Sequence, residues 1–348
     1  MVKDNEKKNM TWSRKIYENK NSNKYKERIL SSKFPEIVLK IILFIIFYNS
    51  ISLSEEKSFK LRKLEFFSNV TMVIRGNGTK NILGQKFSIL PIEVFINNIS
   101  QNIINKNYSI GEEQNTITLI FNKSITDCSY MFSNLIDVIE IDLSQFDSNE
   151  ITDMSGMFYG CKNLKKINIT NFDTSKVTTM EKLFYGCNSL NEINLLNFNT
   201  SSVTKMNNMF CECNSLNSLN LSNFDTSSVT DMDSMFCNCS NLTNLDISSF
   251  QTSKVSNMNS IFKGCFSLLS INLSNFDTSN VMDMSNMFNN CYNLSYINLL
   301  NFNTSKVKNM EKMFSGCYLL NYLDLSNFDT SNVERMNFIF DHCKNLKL

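Results

Sequence analysis

The chain has 348 residues, 42% of them hydrophobic, with two prolines and a net charge of +1. That near-neutral total hides an imbalance: residues 1–124 hold 20 Lys and Arg against 11 Asp and Glu, whereas residues 125–348 hold 14 against 22. Nucleic-acid binding needs basic charge on an ordered surface, so the acidic larger part argues against that partner. The single histidine, His342, argues against acid–base catalysis.

In chain order, residues 1–36 are basic and without apolar pattern, the composition of a disordered leader. Residues 37–54 then form a short apolar block centred on Ile41-Ile42-Leu43-Phe44-Ile45-Ile46-Phe47-Tyr48. A basic leader, an apolar block and small residues (Ser50, Ser52, Ser54) have the form of a signal peptide. The stretch 37–53 falls short of the roughly 20 residues usual for a spanning helix. Cleaved signal, membrane tether through 37–53 and plain buried segment therefore all stay open. Acceptor sequons at Asn69, Asn77, Asn98, Asn107 and Asn122 fit a secreted glycoprotein.

Residues 55–123 read as a small β-rich cap, with strands at 70–74, 92–96 and 116–121 and turns at Gly76, Gly78 and Gly84. Such a cap would shield the edge of the first coil behind it. From 124 to 348 the sequence repeats every 26 residues, about 8.5 times and without insertion. One phenylalanine recurs from Phe146 to Phe328 and a second from Phe132 to Phe340, in step with cysteines from Cys161 to Cys343 and methionines from Met154 to Met336. A constant period of that size is the signature of a solenoid.

Within a unit such as 216–242 the pattern changes period. Leu219 and Leu221 alternate as in a short parallel strand. Val229, Met232, Met235, Phe236 and Cys239, spaced 3, 3, 1 and 3 apart, read as one face of a short helix. Asp225 or Thr226 would cap its start, and Gly or Asn before the cysteine (Gly160, Gly186, Asn238, Gly264, Asn290, Gly316) would end it. The expected architecture is thus an α/β repeat, a leucine-rich-repeat solenoid with one short parallel strand and one short helix per coil. A single repeat buries too little to fold alone, so neighbours must cover both of its faces.

The column Asp142, Asn168, Asn194, Asn220, Asp246, Asn272, Asn298 and Asp324 should face outward between the two inward strand residues. Two readings are open: amides bonded along the stack, or a polar strip that contacts a ligand. Neighbouring positions on that face vary (Lys165, Lys166, Glu192, Tyr296, Tyr322), as specificity on a rigid surface requires. Ligand contact is assigned to Asn194, Asn220, Asp246, Asn272, Tyr296, Asn298, Tyr322 and Asp324, with the two tyrosines as anchors. The repeated cysteines read as small core residues, while Cys211 and Cys237 leave a mutual disulfide or exposed thiols open. No catalytic residue, cofactor or metal site is expected.

The unit Leu-x-x-Leu-x-Leu-Ser-Asn-Phe-Asp-Thr-Ser-x-Val-x-x-Met-x-x-Met-Phe-x-x-Cys, nearly intact at 216–239, resembles the BspA-like class of leucine-rich-repeat surface proteins. The resemblance covers about 125–348 and implies a secreted or cell-surface adhesion protein that contacts protein or carbohydrate. It carries over no catalytic residues. An intracellular interaction scaffold of the same architecture is the alternative.

Overall fold

The computed structural model describes residues 68–103 and 105–347. The leader and the signal or tether expected within 1–54 lie outside the described residues, as does the stretch 55–67. The described chain opens with β1 (Ser68–Arg75), whose alternation buries Val70, Met72 and Ile74. β2 (Gly78–Asn81), β3 (Glu93–Ile96), β4 (Ile99–Gln101), β5 (Asn107–Ile110) and β6 (Gln114–Phe121) follow. β1 and β6 pair antiparallel over eight positions, and β3 takes the other edge of β6. β3 returns into β4 through Asn97 and Asn98, both left-handed (φ 49° and 65°), as a two-residue hairpin turn asks. β2 and β5 form a separate antiparallel ribbon.

The coils attach directly to this sheet. β7 (Val138–Asp142) pairs antiparallel with the free edge of β1, and β8 (Lys166–Asn168) pairs parallel with β7, giving the order β4-β3-β6-β1-β7-β8. Later coils contribute β9 (Ser218–Asn220), β10 (Asn244–Asp246), β11 (Ser270–Ile271) and β12 (Tyr296–Ile297). β9 pairs with β10 and β11 with β12, each parallel and offset by one 26-residue unit. A second parallel line of bridges steps from Asp127 through Asp153, Thr179, Lys205 and Asp231 to Arg335.

The expected helix in each coil does not form; no helix is present among the described residues. The α/β reading with a helix per coil is therefore overturned in favour of a repeat built from strands and tight turns. In the fifth coil, Met235, Cys237 and Cys239 donate their N–H groups three residues back, to Met232, Ser234 and Phe236. The intervening N–H groups of Met232, Ser234, Phe236 and Asn238 reach forward to Asn257, Asn259, Ile261 and Lys263 of the next coil, at 2.6–3.2 Å. An α-helix needs these N–H groups for its own carbonyls, and stacking takes every second one. Two left-handed residues per coil, here Ser234 and Asn238 (φ 56° and 58°), complete the break. Overlapping three-residue turns place an inward side chain every third position, so the spacing that suggests a helix survives without one.

The second left-handed position is the one the sequence marks with Gly or Asn, yet Glu212 (φ 63°) and His342 (φ 58°) adopt it too. At Glu212 the N–H bond to Cys237 O of the next coil (2.7 Å) holds that backbone despite the side chain. Inside, the rings of Phe132, Phe158, Phe184, Phe210, Phe236 and their successors stack at 5.4–5.9 Å between centroids. The repeated cysteines are free, and each Sγ from Cys161 to Cys343 faces the carbonyl of the phenylalanine 29 residues earlier, at 2.9–3.3 Å.

Candidate functional site

The outward column on the strand side begins with its local chemistry. Asn194, Asn220, Asn272 and Asn298 each accept, through Oδ1, the N–H two residues ahead in the same coil (3.0–3.1 Å). Asp246 and Asp324 do the same toward Ser248 and Ser326 (3.1 and 2.9 Å). These are Asx turns that close the corner after the strand, and bonding along the column is confined to its start, where Asn168 donates to the Asp142 carboxylate. The Ser248 hydroxyl and N–H hold the Asp246 carboxyl below its usual range, and the Ser326 N–H and hydroxyl do so for Asp324. One side of each group is thus spent on its own turn.

Bonding along the stack falls to side chains that the sequence reading did not single out. Asn223 Nδ2 reaches three carbonyls of the previous coil, those of Leu195, Leu196 and Phe198, at 2.9–3.2 Å. Asn327 repeats this toward Leu299, Leu300 and Phe302. Thr226, fully buried, donates from Oγ1 to Gln251 O (2.9 Å) and accepts from Gln251 N (2.7 Å). Thr174, Thr278 and Thr304 make the same pair of bonds with the next coil. The signal was the recurrence of Asn-Phe-x-Thr itself, whose polar members recur nearly as strictly as its phenylalanine, with Gln145 and Ser249 in the Asn column and Ser148 in the Thr column. Thr226 therefore joins coils and caps no helix, while Asp225 closes a turn onto Ser227 N (2.9 Å).

The face is not uniform along the stack. Toward the first coils it offers Glu140, Lys165, Lys166 and Glu192, all exposed, with Leu196 beside them. Farther on it becomes rich in carbon: Tyr296 and Tyr322 are 57% and 60% exposed in consecutive coils, joined by Leu269, Leu300 and Leu319. Just upstream of these strands Phe266, Tyr292 and Tyr318 stack face to face at 4.6 and 4.9 Å. Grouped exposed apolar side chains on a soluble surface mark contact sites. Cys211 and Cys237 stand elsewhere, in adjacent coils, both free and buried. Donation of its S–H toward Cys237, together with burial, pushes the Cys211 thiol upward. Among the described residues no three His, Cys, Asp or Glu side chains gather to hold a metal ion. Nor is any helix there long and apolar enough to cross a membrane.

The family model described as "Mycoplasma protein of unknown function, DUF285" matches this chain four times in tandem, over residues 106–194, 126–219, 188–271 and 266–348. The crystal structure of a leucine-rich repeat protein from Bacteroides ovatus is similar over 66% of this chain and 82% of its own, at 18% identity and a TM-score of 0.22. No curated protein matches.

Proposed function

This chain belongs to the DUF285 family, and on that premise we propose that it is a non-enzymatic binding protein of the BspA-like leucine-rich-repeat class. It is displayed at a cell surface and takes a protein ligand on the strand face. The observation that carries this reading is the change along that face from charged residues to the exposed group Tyr296, Tyr322, Leu269, Leu300 and Leu319. Tyrosine supplies large contact area with one polar tip and is favoured at interface centres. The stacked backbone beneath holds the two rings at a fixed register, so little ordering is lost on binding. Carbohydrate is the second reading; it would need the open faces of Tyr296 and Tyr322, because the Phe266–Tyr292–Tyr318 column turns its ring faces toward one another. Asn272, Asn298 and Asp324 of the Asx column supply polar atoms around these anchors, and Asn194, Asn220 and Asp246 continue the column toward the cap.

The test is adhesion of the purified chain to immobilised extracellular-matrix proteins. Tyr296→Ser with Tyr322→Ser should weaken binding at least tenfold, while Lys165→Ala with Lys166→Ala leaves it unchanged. Equal binding by both variants would remove the strand face from consideration. Surface display is tested separately by protease treatment of intact cells: a tagged chain that stays protected and cytosolic would leave the intracellular scaffold as the surviving reading.

A further inference from the structure

A hollow of about 370 Å³ lies where the cap meets the first three coils, apart from the strand face. Its floor arises from one irregularity in the repeat. The first left-handed position of successive coils is Tyr130, Gly156 and Lys182, and later coils fill it with Asn208, Ser234, Ser260, Asn286, Lys312 and Phe338. The missing side chain at Gly156 lets the Tyr130 ring lie across the second coil; a Cβ there would stand 2.6 Å from Cε1 of that ring. Lys86 covers the ring, its Nζ 4.2 Å from the centroid.

The wall that carries Lys86 is held in place. Gly84 N–H donates to Met131 O (2.7 Å), and Gly84 packs so close to the Tyr130 carbonyl that no side chain fits. Lys106 Nζ binds the carbonyls of Gly84 and Gln85 from behind (3.1 and 2.7 Å). The hollow is therefore formed before any ligand arrives, at a size usual for small-molecule sites.

Its lining defines what would enter. Two ammonium groups face it, Lys86 and Lys182, and no carboxylate does. Lys182 is paired with Glu181 at 2.6 Å, whereas Lys86 has no carboxylate partner among the described residues. The amides of Asn81, Gln85 and Asn134 and the Ser133 hydroxyl offer both donors and acceptors. The edges of the Tyr130 and Tyr159 rings give apolar contact, Lys86 covering a face of the first and Tyr185 a face of the second. A simple anion would accept from Lys86 and the amide N–H groups but leave the amide oxygens and ring edges unused, and a neutral sugar would leave Lys86 to solvent and the Tyr130 ring.

We propose that this junction is a second binding site, for one monosaccharide unit carrying a carboxylate. The carboxylate meets Lys86, the hydroxyls meet the amides, and the carbon skeleton runs along the edges of the phenol rings. The site is independent of the strand face.

Isothermal titration of the full chain tests it with N-acetylneuraminic acid, glucuronic acid, glucose and inorganic phosphate. The expected result is saturable binding of at least one acidic sugar. Glucose and phosphate should each bind at least tenfold more weakly. Lys86→Ala, at an exposed position, should weaken the acidic sugar at least tenfold with an unchanged melting temperature, and Tyr296→Ser with Tyr322→Ser should have no effect. The proposal is overturned by absent binding of both acids, by glucose or phosphate binding as well as they do, or by full affinity in the Lys86 variant. Those outcomes leave the adhesion assay untouched, so the two readings fail separately.

Discussion

The eight-residue strands β1 and β6 of the cap differ from the two- to five-residue strands of the coils in where their backbone groups find partners. In the cap, antiparallel pairing along the whole strand does most of the work, and side chains only alternate between core and solvent. In the coils the paired stretch is brief. The remaining groups are met by alternate turn and stack bonds, by the Asn223 type of clamp and by the Thr226 type of bridge. The two regions nevertheless share one continuous set of contacts across their seam. Ser68 Oγ accepts from Asp147 N (3.0 Å), as Ser148 and Thr174 do from Asp173 and Asn199 of their next coils. Phe121 packs edge-on against Phe146 at 6.4 Å, continuing a column of rings. A cap need not resemble a coil; it need only present the same contacts at the same spacing.

Breaking the seam should have the largest effect. Met72 sits on β1 between Ile117 of β6 and Ile141 of β7 and is 1% exposed. Met72→Asp buries a carboxylate there, which costs on the order of 5 kcal/mol. Urea unfolding should show the cap and first coils lost before the rest. Phe236→Ala, in the middle of the ring column, should cost about 4 kcal/mol. Because coils contact only their neighbours, it should split the transition in two rather than shift it as a whole. A single shifted transition would mean that cap and coils unfold as one unit.

Smaller changes sharpen the comparison. Thr226→Val removes a donor and an acceptor that Gln251 uses inside the stack, a loss of about 2 kcal/mol; Ser68→Ala removes one bond at the seam, a loss of about 1 kcal/mol. Equal losses from both would deny the double role of the threonine. The smallest effect is acid sensitivity of the Asx turns. Hydrogen bonds from Ser227, Ser279 and Ser331 hold the carboxyls of Asp225, Asp277 and Asp329 below their usual range. Folded values below the unfolded value of about 3.9 mean that this stabilisation is present above pH 4. It is lost as pH falls through the folded values. Asp225→Asn with Asp277→Asn keeps the turn acceptor, so its melting temperature should fall less between pH 5 and 3 than that of the parent.

The 26-residue step and its in-phase columns are legible because stacking demands one residue type at one place in every coil. Phe236, Met232 and Cys239 are buried as that logic requires. The helix was misread because the spacing 3, 3, 1, 3 suits both a helix face and a series of overlapping turns. Gly160, Gly186 and Asn238 did mark a left-handed residue. The other left-handed position, four residues earlier, holds Gly156, Lys182, Asn208 and Ser234 and carries no shared signal. The hollow beside Tyr130 was likewise invisible, since it joins residues of the cap to Gly156 and Lys182.

Repetition by itself determined that identical lengths of chain lie side by side with Phe, Met and Cys turned inward, because only neighbours can cover so much apolar surface. Only the tertiary structure decided which partner each backbone N–H takes. Met232, Ser234, Phe236 and Asn238 give theirs to the next coil, and with those donors committed outward a helix has nothing left to close on itself.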